Sequence, residues 1–188
     1  LCLIGGCAHG PLPGAGSEGH TGALVAEVPE HWQIEGRVAL RQGEKSWTGT
    51  LRWLQRDQQS ELRMVGPFGR GGFVLKQQPG LATVFMEDGR VISAESAEQL
   101  VAEQFDWPVP VESLRHWVTG QQAQGAIDDQ SWDATGRLRH FSQHGWAVSY
   151  KRYVLTAGGP LPKEILLQRD ARQLRLVIRR WKVVLDEG

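Results

Sequence analysis

The residue types that could support catalysis or metal binding are few and poorly placed for either. His140 and His144 are four residues apart, but they flank a predicted hairpin, so their spacing defines no common metal-binding face, and no third ligand accompanies them. Asp128 and Asp129 are adjacent in a predicted polar connection, and neighbouring side chains point apart in an extended chain, so they make a poor acid–base pair. We therefore predict no catalytic residue, no metal and no enzyme activity.

Phosphate and nucleic-acid binding are also disfavoured. Residues 69–72 are glycine-rich, but no helix follows them to complete a phosphate cradle. The chain has no nucleophile elbow or Walker loop, and no glycine motif between a predicted strand and helix that would make a dinucleotide fingerprint, so no cofactor is expected. Its 21 basic and 21 acidic residues balance, with a pI near 7.2, whereas a nucleic-acid-binding protein is normally basic.

The two cysteines, Cys2 and Cys7, both lie at the start of the chain. Their position excludes a disulfide framework, a thiolate zinc site and a cysteine nucleophile from the rest of the chain. Apolar residues, then Gly5 and Gly6, then Cys7 resemble a bacterial lipobox with cleavage before the cysteine. This pattern predicts lipidation of Cys7; the alternative is a fortuitous cysteine in a trimmed chain.

Composition predicts three segments along the chain. Residues 1–6 are interpreted as the remnant of a lipoprotein signal peptide, 7–21 as the lipidated cysteine and a flexible tether, and 22–188 as a single domain. The tether is rich in glycine and proline and has little that could pack. The residue after the cysteine is Ala8 and not Asp, which by resemblance to bacterial lipoprotein sorting favours the outer membrane. No apolar run approaches the roughly 18 residues of a spanning helix.

A period of two dominates the rest of the chain and predicts antiparallel strands joined by short turns. The turn at Asp88-Gly89 is a strong hairpin signal. The strands are predicted at residues 47–54, 62–66, 72–77, 81–87, 89–94, 137–143, 146–153, 163–169 and 173–184.

Helices interrupt this pattern. Ser96 can cap a helix that runs to Phe105, and a second helix is predicted over residues 111–119, ending at Gly120. A weaker helix is predicted over residues 24–34. Two or three helices cannot cover the face of a sheet of about ten or eleven strands, so the sheet must curl or stay partly open. A curled sheet with helices at its mouth would enclose an apolar pocket; the alternative is an ordinary filled core.

The loop at residues 65–72 carries an aromatic residue near its tip. Phe68 lies between Pro67 and Gly69, and Arg70 follows. An aromatic ring beside an arginine has the composition of a membrane-interface contact. The alternative, slightly favoured from these residues alone, is that Phe68 folds back to cap the sheet.

Charge is segregated along the chain. Acidic residues dominate residues 87–112, and basic residues dominate 163–182. In the basic segment Arg175 and Arg179 are predicted to project outward. The segment is either a solvated outer face or a docking surface for an acidic partner or anionic headgroups.

Two motifs resemble those of a known family. Residues 110–120 resemble the Leu-Arg-x-Trp-x-x-Gly signature of the LolB family of outer-membrane lipoprotein receptors, and residues 66–69 resemble its protruding Asn-Pro-Leu-Gly loop. The likeness extends from Trp32 to Val184. The signature is carried by Leu114, Arg115, Trp117 and Gly120.

The resemblance implies a mainly β fold, an incomplete antiparallel β-barrel with helices over its opening. It also implies a receptor that takes acylated lipoproteins from a soluble periplasmic LolA-like carrier and inserts them into the outer membrane. Pro67, Phe68 and Gly69 then form the membrane insertion loop. This chain departs from the family loop in having Phe68 at the tip where Leu is usual, and Gly66 in place of Asn.

Strand phase suggests which side chains line an acyl-chain cavity: Trp47, Leu51, Trp53, Met64, Phe73, Leu75 and Trp117. Expected partners are the carrier, the acylated cargo and outer-membrane lipids, with no nucleic acid and no cofactor. A lipid-sensing or scaffolding lipoprotein that transfers nothing is the alternative function, and an enzyme acting on envelope lipids is the third.

Overall fold

The computed structural model describes residues 30–184. The predictions for the signal-peptide remnant, for Cys7 and for the tether lie outside the described residues and stay predictions. The strands are β1 (His31–Gln42), β2 (Lys45–Arg56), β3 (Gln59–Val65), β4 (Phe73–Gln78), β5 (Leu81–Met86), β6 (Val91–Ala94), β7 (Ile127–Trp132), β8 (Leu138–Gln143), β9 (Trp146–Thr156), β10 (Gly159–Arg169) and β11 (Arg172–Val184). The helices are α1 (Ala97–Phe105) and α2 (Val111–Val118).

All eleven strands form one antiparallel sheet in the order β6-β5-β4-β3-β2-β1-β11-β10-β9-β8-β7. Sequence neighbours pair through short turns, and the pairing of β1 with β11 joins the two halves of the chain. The end strands β6 and β7 do not pair with each other, so the barrel is incomplete. The predicted fold class, an open antiparallel β-barrel with helices, is confirmed.

The predicted alternation of faces holds along the central strands. Ile34 and Val38 of β1 are buried, whereas Arg37 between them is exposed. Gly36 lies at a bulge where β1 approaches β11, and a Cβ atom there would stand 2.5 Å from the carbonyl oxygen of Val177. Only glycine fits this close approach. In β11 the predicted orientation is also confirmed, since Leu174 is buried and Arg175 is exposed.

Both strong helix predictions are confirmed to within a residue. Ser96 caps α1, because its Oγ accepts a hydrogen bond from the backbone N–H of Gln99 at 3.2 Å. Helix α2 ends before Gly120, whose φ of 86° is the left-handed conformation that glycine adopts readily. Among residues 30–184, neither helix has the length or apolar content to cross a bilayer.

Two predictions of secondary structure are wrong. The weak helix predicted over residues 24–34 is contradicted at 31–34, where the chain already forms β1. Trp32 and Ile34 are both buried there at a spacing of two, so the sheet overrides the helical pattern. The polar connection around Asp128 and Asp129 is in fact edge strand β7, which is almost entirely exposed and therefore lacks apolar alternation.

Candidate functional site

The inner face of the curled sheet encloses an apolar cavity of about 320 Å³. Its wall comes from strands β1 to β4 and β11, and its cover comes from the helices and their linker. Every side chain of the wall is apolar, which is typical of a site for hydrocarbon. The lining residues are Val38, Leu40, Trp47, Leu51, Trp53, Leu62, Met64, Gly71, Phe73, Leu75, Val101, Phe105, Trp107, Val109, Val111, Leu114, Leu174 and Leu176.

Six of the seven residues selected by strand phase lie on this wall: Trp47, Leu51, Trp53, Met64, Phe73 and Leu75. Sequence reasoning missed the contribution of the linker between the helices, where Trp107 and Val109 line the cavity. The alternation of apolar residues with prolines in this linker was the available signal. It also missed Leu174 and Leu176 of β11, which face the cavity because β11 pairs with β1.

Trp117 does not line the cavity, and this prediction is corrected. Its ring is fully buried on the other side of α2, edge-on to Phe141 with ring centroids 6.2 Å apart. Its Nε1–H donates to Oε1 of buried Gln143 at 2.9 Å, and its backbone carbonyl accepts from the hydroxyl of Tyr150 at 2.8 Å. Trp117 therefore anchors α2 to the half of the sheet whose interior is filled by aromatic side chains, because its polar N–H finds its partner there.

The other signature residues place α2 between these two halves. Leu114 lines the cavity, on the same helix as Trp117. Arg115 is half-buried, with its Nε 3.4 Å from Oε2 of Glu112. Beyond the helix, a Cβ atom on Gly120 would meet the ring of Pro162 at 3.3 Å. The signature thus fixes one helix of the cover against β8, β9 and β10.

Helix α1 forms the other part of the cover. Phe105 at its end stacks on Phe73 of β4, with ring centroids 4.4 Å apart and an interplanar angle of 29°. Glu98 accepts a hydrogen bond from the backbone N–H of Glu112 at 2.6 Å, which ties α1 to the start of α2. Phe73 and Phe105 both line the cavity. The contact that joins α1 to β4 is therefore made by two cavity-lining side chains.

The loop between β3 and β4 carries the most exposed aromatic ring of the described chain. Phe68 lies at the tip in the left-handed conformation, with φ 57° and ψ 22°, and its side chain is fully exposed. The interpretation in which Phe68 folds back onto the sheet is therefore wrong. Pro67 and Gly69 flank it and are exposed as well. Gly71 at the base of the loop lines the cavity, so the loop rises from the cavity rim.

A carboxylate fixes the base of this loop. Glu87, in the turn after β5, accepts hydrogen bonds from the backbone N–H groups of Gly71 and Gly72, the second at 3.1 Å. The backbone N–H of Glu87 in turn donates to the carbonyl of Gly72 at 3.2 Å. These bonds hold the turn between β5 and β6 against the base of the loop, next to the start of β4. Glu87 is a feature that sequence reasoning missed, because nothing in its local pattern indicates this distant partner.

The remaining polar candidates have structural partners. His140 Nδ1 lies 3.0 Å from Oγ of Ser149, and His144 Nε2 lies 2.9 Å from the carbonyl oxygen of Gln124. Within residues 30–184, no group of three or more His, Cys, Asp or Glu side chains has metal-site geometry.

The outer face of the basic segment includes a charge cluster that ties three strands together. Glu164 of β10 accepts hydrogen bonds from Arg175 of β11 at 2.6 and 2.9 Å, and from Arg152 of β9 at 2.8 Å. These hydrogen bonds, those from Arg175 above all, lower the pKa of the Glu164 carboxyl below its ordinary value. Part of the basic segment is therefore neutralised within the fold.

The chain is thus an open antiparallel half-barrel that holds an apolar cavity beneath two helices. Solved structures share this fold. A LolA superfamily protein from Nitrosomonas europaea matches with a TM-score of 0.53 at 11% identity, covering 84% of this chain and 87% of that chain. A DUF1329 family protein from Desulfovibrio piger matches with a TM-score of 0.55 at 8% identity, covering 87% of this chain and 89% of that chain.

Sequence comparison defines the family. The family model described as "Outer membrane lipoprotein LolB" matches residues 30–181. Proteins named outer-membrane lipoprotein LolB are 36% identical in Stutzerimonas stutzeri, covering 96% of this chain and 90% of the relative, and 35% identical in Pseudomonas aeruginosa, covering 97% and 92%. The chain belongs to the LolB family of outer-membrane lipoproteins, as the two sequence motifs predict.

Proposed function

We propose that this outer-membrane lipoprotein is a receptor that accepts the acyl chains of other lipoproteins from a soluble LolA-like carrier and inserts the cargo into the membrane. The cavity holds the acyl chains, and the loop around Phe68 enters the bilayer during release. One juxtaposition carries the proposal: a wholly apolar cavity opens at the base of a loop whose tip is a fully exposed aromatic ring.

The energetics of acyl transfer explain why such a cavity suffices. Each CH₂ group exposed to water costs about 0.8 kcal/mol, so a lipid anchor cannot cross an aqueous compartment unescorted. Passing the anchor directly between apolar sites avoids this cost at every step. A difference in affinity of about 1.4 kcal/mol between successive sites gives a tenfold preference for the forward direction. The transfer therefore requires no nucleotide and no metal.

The cover supports a cycle of loading and release. Helix α2 is anchored through Trp117 and Gln143, whereas α1 is closed onto β4 by the stacked pair Phe73 and Phe105. Because both rings line the cavity, an acyl chain that enters can replace their mutual contact with contacts of its own at little cost. We assign the opening movement to α1 and the stationary role to α2.

The scaffold alternative predicts an interior filled by the protein's own side chains. Phe141, Trp146 and Tyr150 do fill the interior beneath β8 and β9. The cavity beneath β1 to β4, however, is not filled, and this observation favours a ligand-binding receptor over a scaffold that transfers nothing.

The test is a two-step transfer assay. An acylated lipoprotein bound to its soluble carrier is incubated with the full chain, and liposomes are then added. We expect cargo to move to this chain in the first step and to the liposomes in the second. Cargo that stays on the carrier in the presence of the full chain would overturn the proposal. Carrier and liposomes without the chain serve as the control.

A further inference from the structure

The outer face of the sheet carries a continuous row of side chains beside the Phe68 loop. Strand register sets the row, because each member is the direct cross-strand partner of the next across β2 to β6. All alternate with residues that face the interior, so they share the outer face. The row consists of Arg52, Arg63, Val74, Phe85 and Val91.

The row is graded from cationic to apolar. At its edge end the ring of Phe85 is 39% exposed and Val91 is 59% exposed, although neither has a role in the core. At the other end Arg52 and Arg63 are exposed and directly opposite each other. Arg63 has no hydrogen bond or ion pair with any side chain of residues 30–184. Like charges placed opposite each other are unfavourable unless something else neutralises them.

The row and the loop lie at the same end of the sheet. Val74 is the second residue of β4, which begins directly after the loop, and Val91 begins β6 after the turn that contains Glu87. Glu87 holds this turn to the base of the loop through the backbone of Gly71 and Gly72. A surface that the tip of the loop enters therefore also meets the edge end of the row.

We propose that this row is a second bilayer contact, in which Phe85 and Val91 enter the interfacial region while Arg52 and Arg63 bind phosphates of anionic lipids. The inference rests on the proposed function, in which the Phe68 loop enters the membrane, and it adds the orientation of the receptor on that membrane. A loop alone is a single point of attachment and leaves the protein free to rotate about it. A loop and a row together fix which edge of the half-barrel faces the lipid.

The charges around the row favour lipid phosphate over an acidic protein surface. Two of the nearby carboxylates are paired with cations, since Glu35 lies 3.3 Å from Arg180 and Asp88 lies 2.7 Å from Arg90, and Glu87 is engaged by the backbone N–H groups of Gly71 and Gly72. Lys76 lies 5.8 Å from the centroid of the Phe85 ring but is paired with Glu61 at 3.5 Å, so the cations available to a phosphate are Arg52 and Arg63. Apolar side chains bordered by cations are the composition of an interfacial lipid contact. The row is also narrower than the surface that a stable protein partner buries.

The test measures vesicle binding without cargo or carrier. The full chain carries Cys7→Ala, so that no lipid anchor masks weak binding, and it is co-sedimented with vesicles of phosphatidylethanolamine alone or with added phosphatidylglycerol. Phe85→Ser is compared with Leu81→Ser, because Leu81 is 43% exposed on the outer face at the far end of the same strand. Arg52→Gln is compared with Arg56→Gln, which lies about 13 Å away along β2.

We expect Phe85→Ser to weaken binding to both kinds of vesicle about tenfold. We expect Arg52→Gln to weaken binding about fivefold, only where phosphatidylglycerol is present and only at low salt. The controls Leu81→Ser and Arg56→Gln should bind like the parent chain. Equal losses in each variant and its control, or no loss in any, would overturn the inference.

The loading step separates failure of this inference from failure of the proposed function. Uptake of cargo from the carrier is measured in solution for the same four variants. Normal uptake together with unchanged vesicle binding in all four variants would overturn the row as a bilayer contact but leave the receptor function intact. Loss of uptake in the parent chain itself would overturn the receptor function, whereas vesicle binding would still report on the row. Crosslinking of carrier through the row, without vesicle binding, would assign the row to a protein partner and also overturn the inference.

Discussion

At the residue scale, Phe68 has an unusual backbone conformation for its type. A left-handed conformation costs a residue with a side chain about 1 kcal/mol, and glycine would avoid this cost. The chain nevertheless places an aromatic ring there, fully exposed to solvent. The side chain has no packing within the described chain that offsets this cost, which favours a role for the ring outside the protein.

We predict that Phe68→Glu leaves cargo uptake within about twofold of the parent chain but lowers delivery to liposomes at least tenfold. A charged side chain is excluded from the acyl region, whereas the cavity does not include Phe68. The two steps of the transfer assay measure both quantities. Phe68→Leu, which restores the usual family residue, is the control and should deliver cargo normally. Normal delivery by the Glu variant would contradict the prediction.

Glu87 acts through the loop rather than on the cargo. We predict that Glu87→Gln lowers delivery to liposomes about threefold without changing uptake, because a neutral amide accepts more weakly from the backbone of Gly71 and Gly72. Amide hydrogen exchange of Gly71 and Gly72 should quicken in parallel. Asp88→Asn is the matched control, since Asp88 lies in the same turn and contacts Arg90 instead. Equal effects of the two variants would contradict a positioning role.

At the element scale, the proposed cycle assigns the opening movement to α1 and a stationary role to α2. We predict that Ser96→Ala, which removes the cap of α1, makes amide exchange in α1 about fivefold faster and quickens uptake of a fluorescent fatty acid. Exchange in the central strands should be unchanged. Ser93→Ala in the neighbouring strand β6 is the control. Faster exchange without faster uptake would show that α1 does not gate the cavity.

The three strands β9, β10 and β11 are held on their outer face by the Glu164 cluster. Because the arginines lower the pKa of Glu164 below its ordinary value of 4.5, the folded state binds its proton more weakly than the unfolded state. The stabilisation is therefore present at neutral pH and is lost as the pH falls below 4.5. We predict that Glu164→Gln lowers the free energy of unfolding by about 1 kcal/mol at neutral pH.

Urea denaturation at neutral and acidic pH measures this effect. The difference between Glu164→Gln and the parent chain should shrink as the pH is lowered towards about 3. Glu61→Gln is the control, because Glu61 has a single exposed contact with Lys76 at 3.5 Å and should change stability little. A difference that persists at acidic pH would assign the loss to packing rather than to the charge.

Local signals predicted most of the elements, and the failures have a common cause. Ser96 and Gly120 marked the helix ends because capping is a property of a few neighbouring residues. Strand phase placed Leu51 and Trp53 on the cavity wall for the same reason. Strand phase and helical spacing placed Trp117 on the wrong side of α2, because a helix that crosses two halves of a sheet has two apolar faces. Which face meets the cavity depends on Gln143, a partner distant in sequence.

At the scale of the whole molecule, the apolar cavity and the proposed lipid anchor belong to separate parts of the chain. The cavity is formed entirely by residues 38–176, whereas the proposed lipid anchor is at Cys7. We predict that Cys7→Ala releases the protein from the outer membrane but leaves acyl binding within about twofold. Membrane fractionation and titration with a fluorescent fatty acid measure the two properties. Loss of binding in the purified variant would contradict their independence.

The unpaired edges of β6 and β7 have a further consequence for capacity. A closed barrel has a circumference set by its strand number and stagger, so its bore cannot change without breaking a ladder. A sheet whose edge strands do not pair with each other has no such constraint, and its curvature can change while every backbone hydrogen bond is kept. The volume available to guest molecules can thus grow with the number and length of their tails. In the proposed function, one small half-barrel can in this way accept cargo proteins that have only their acyl chains in common.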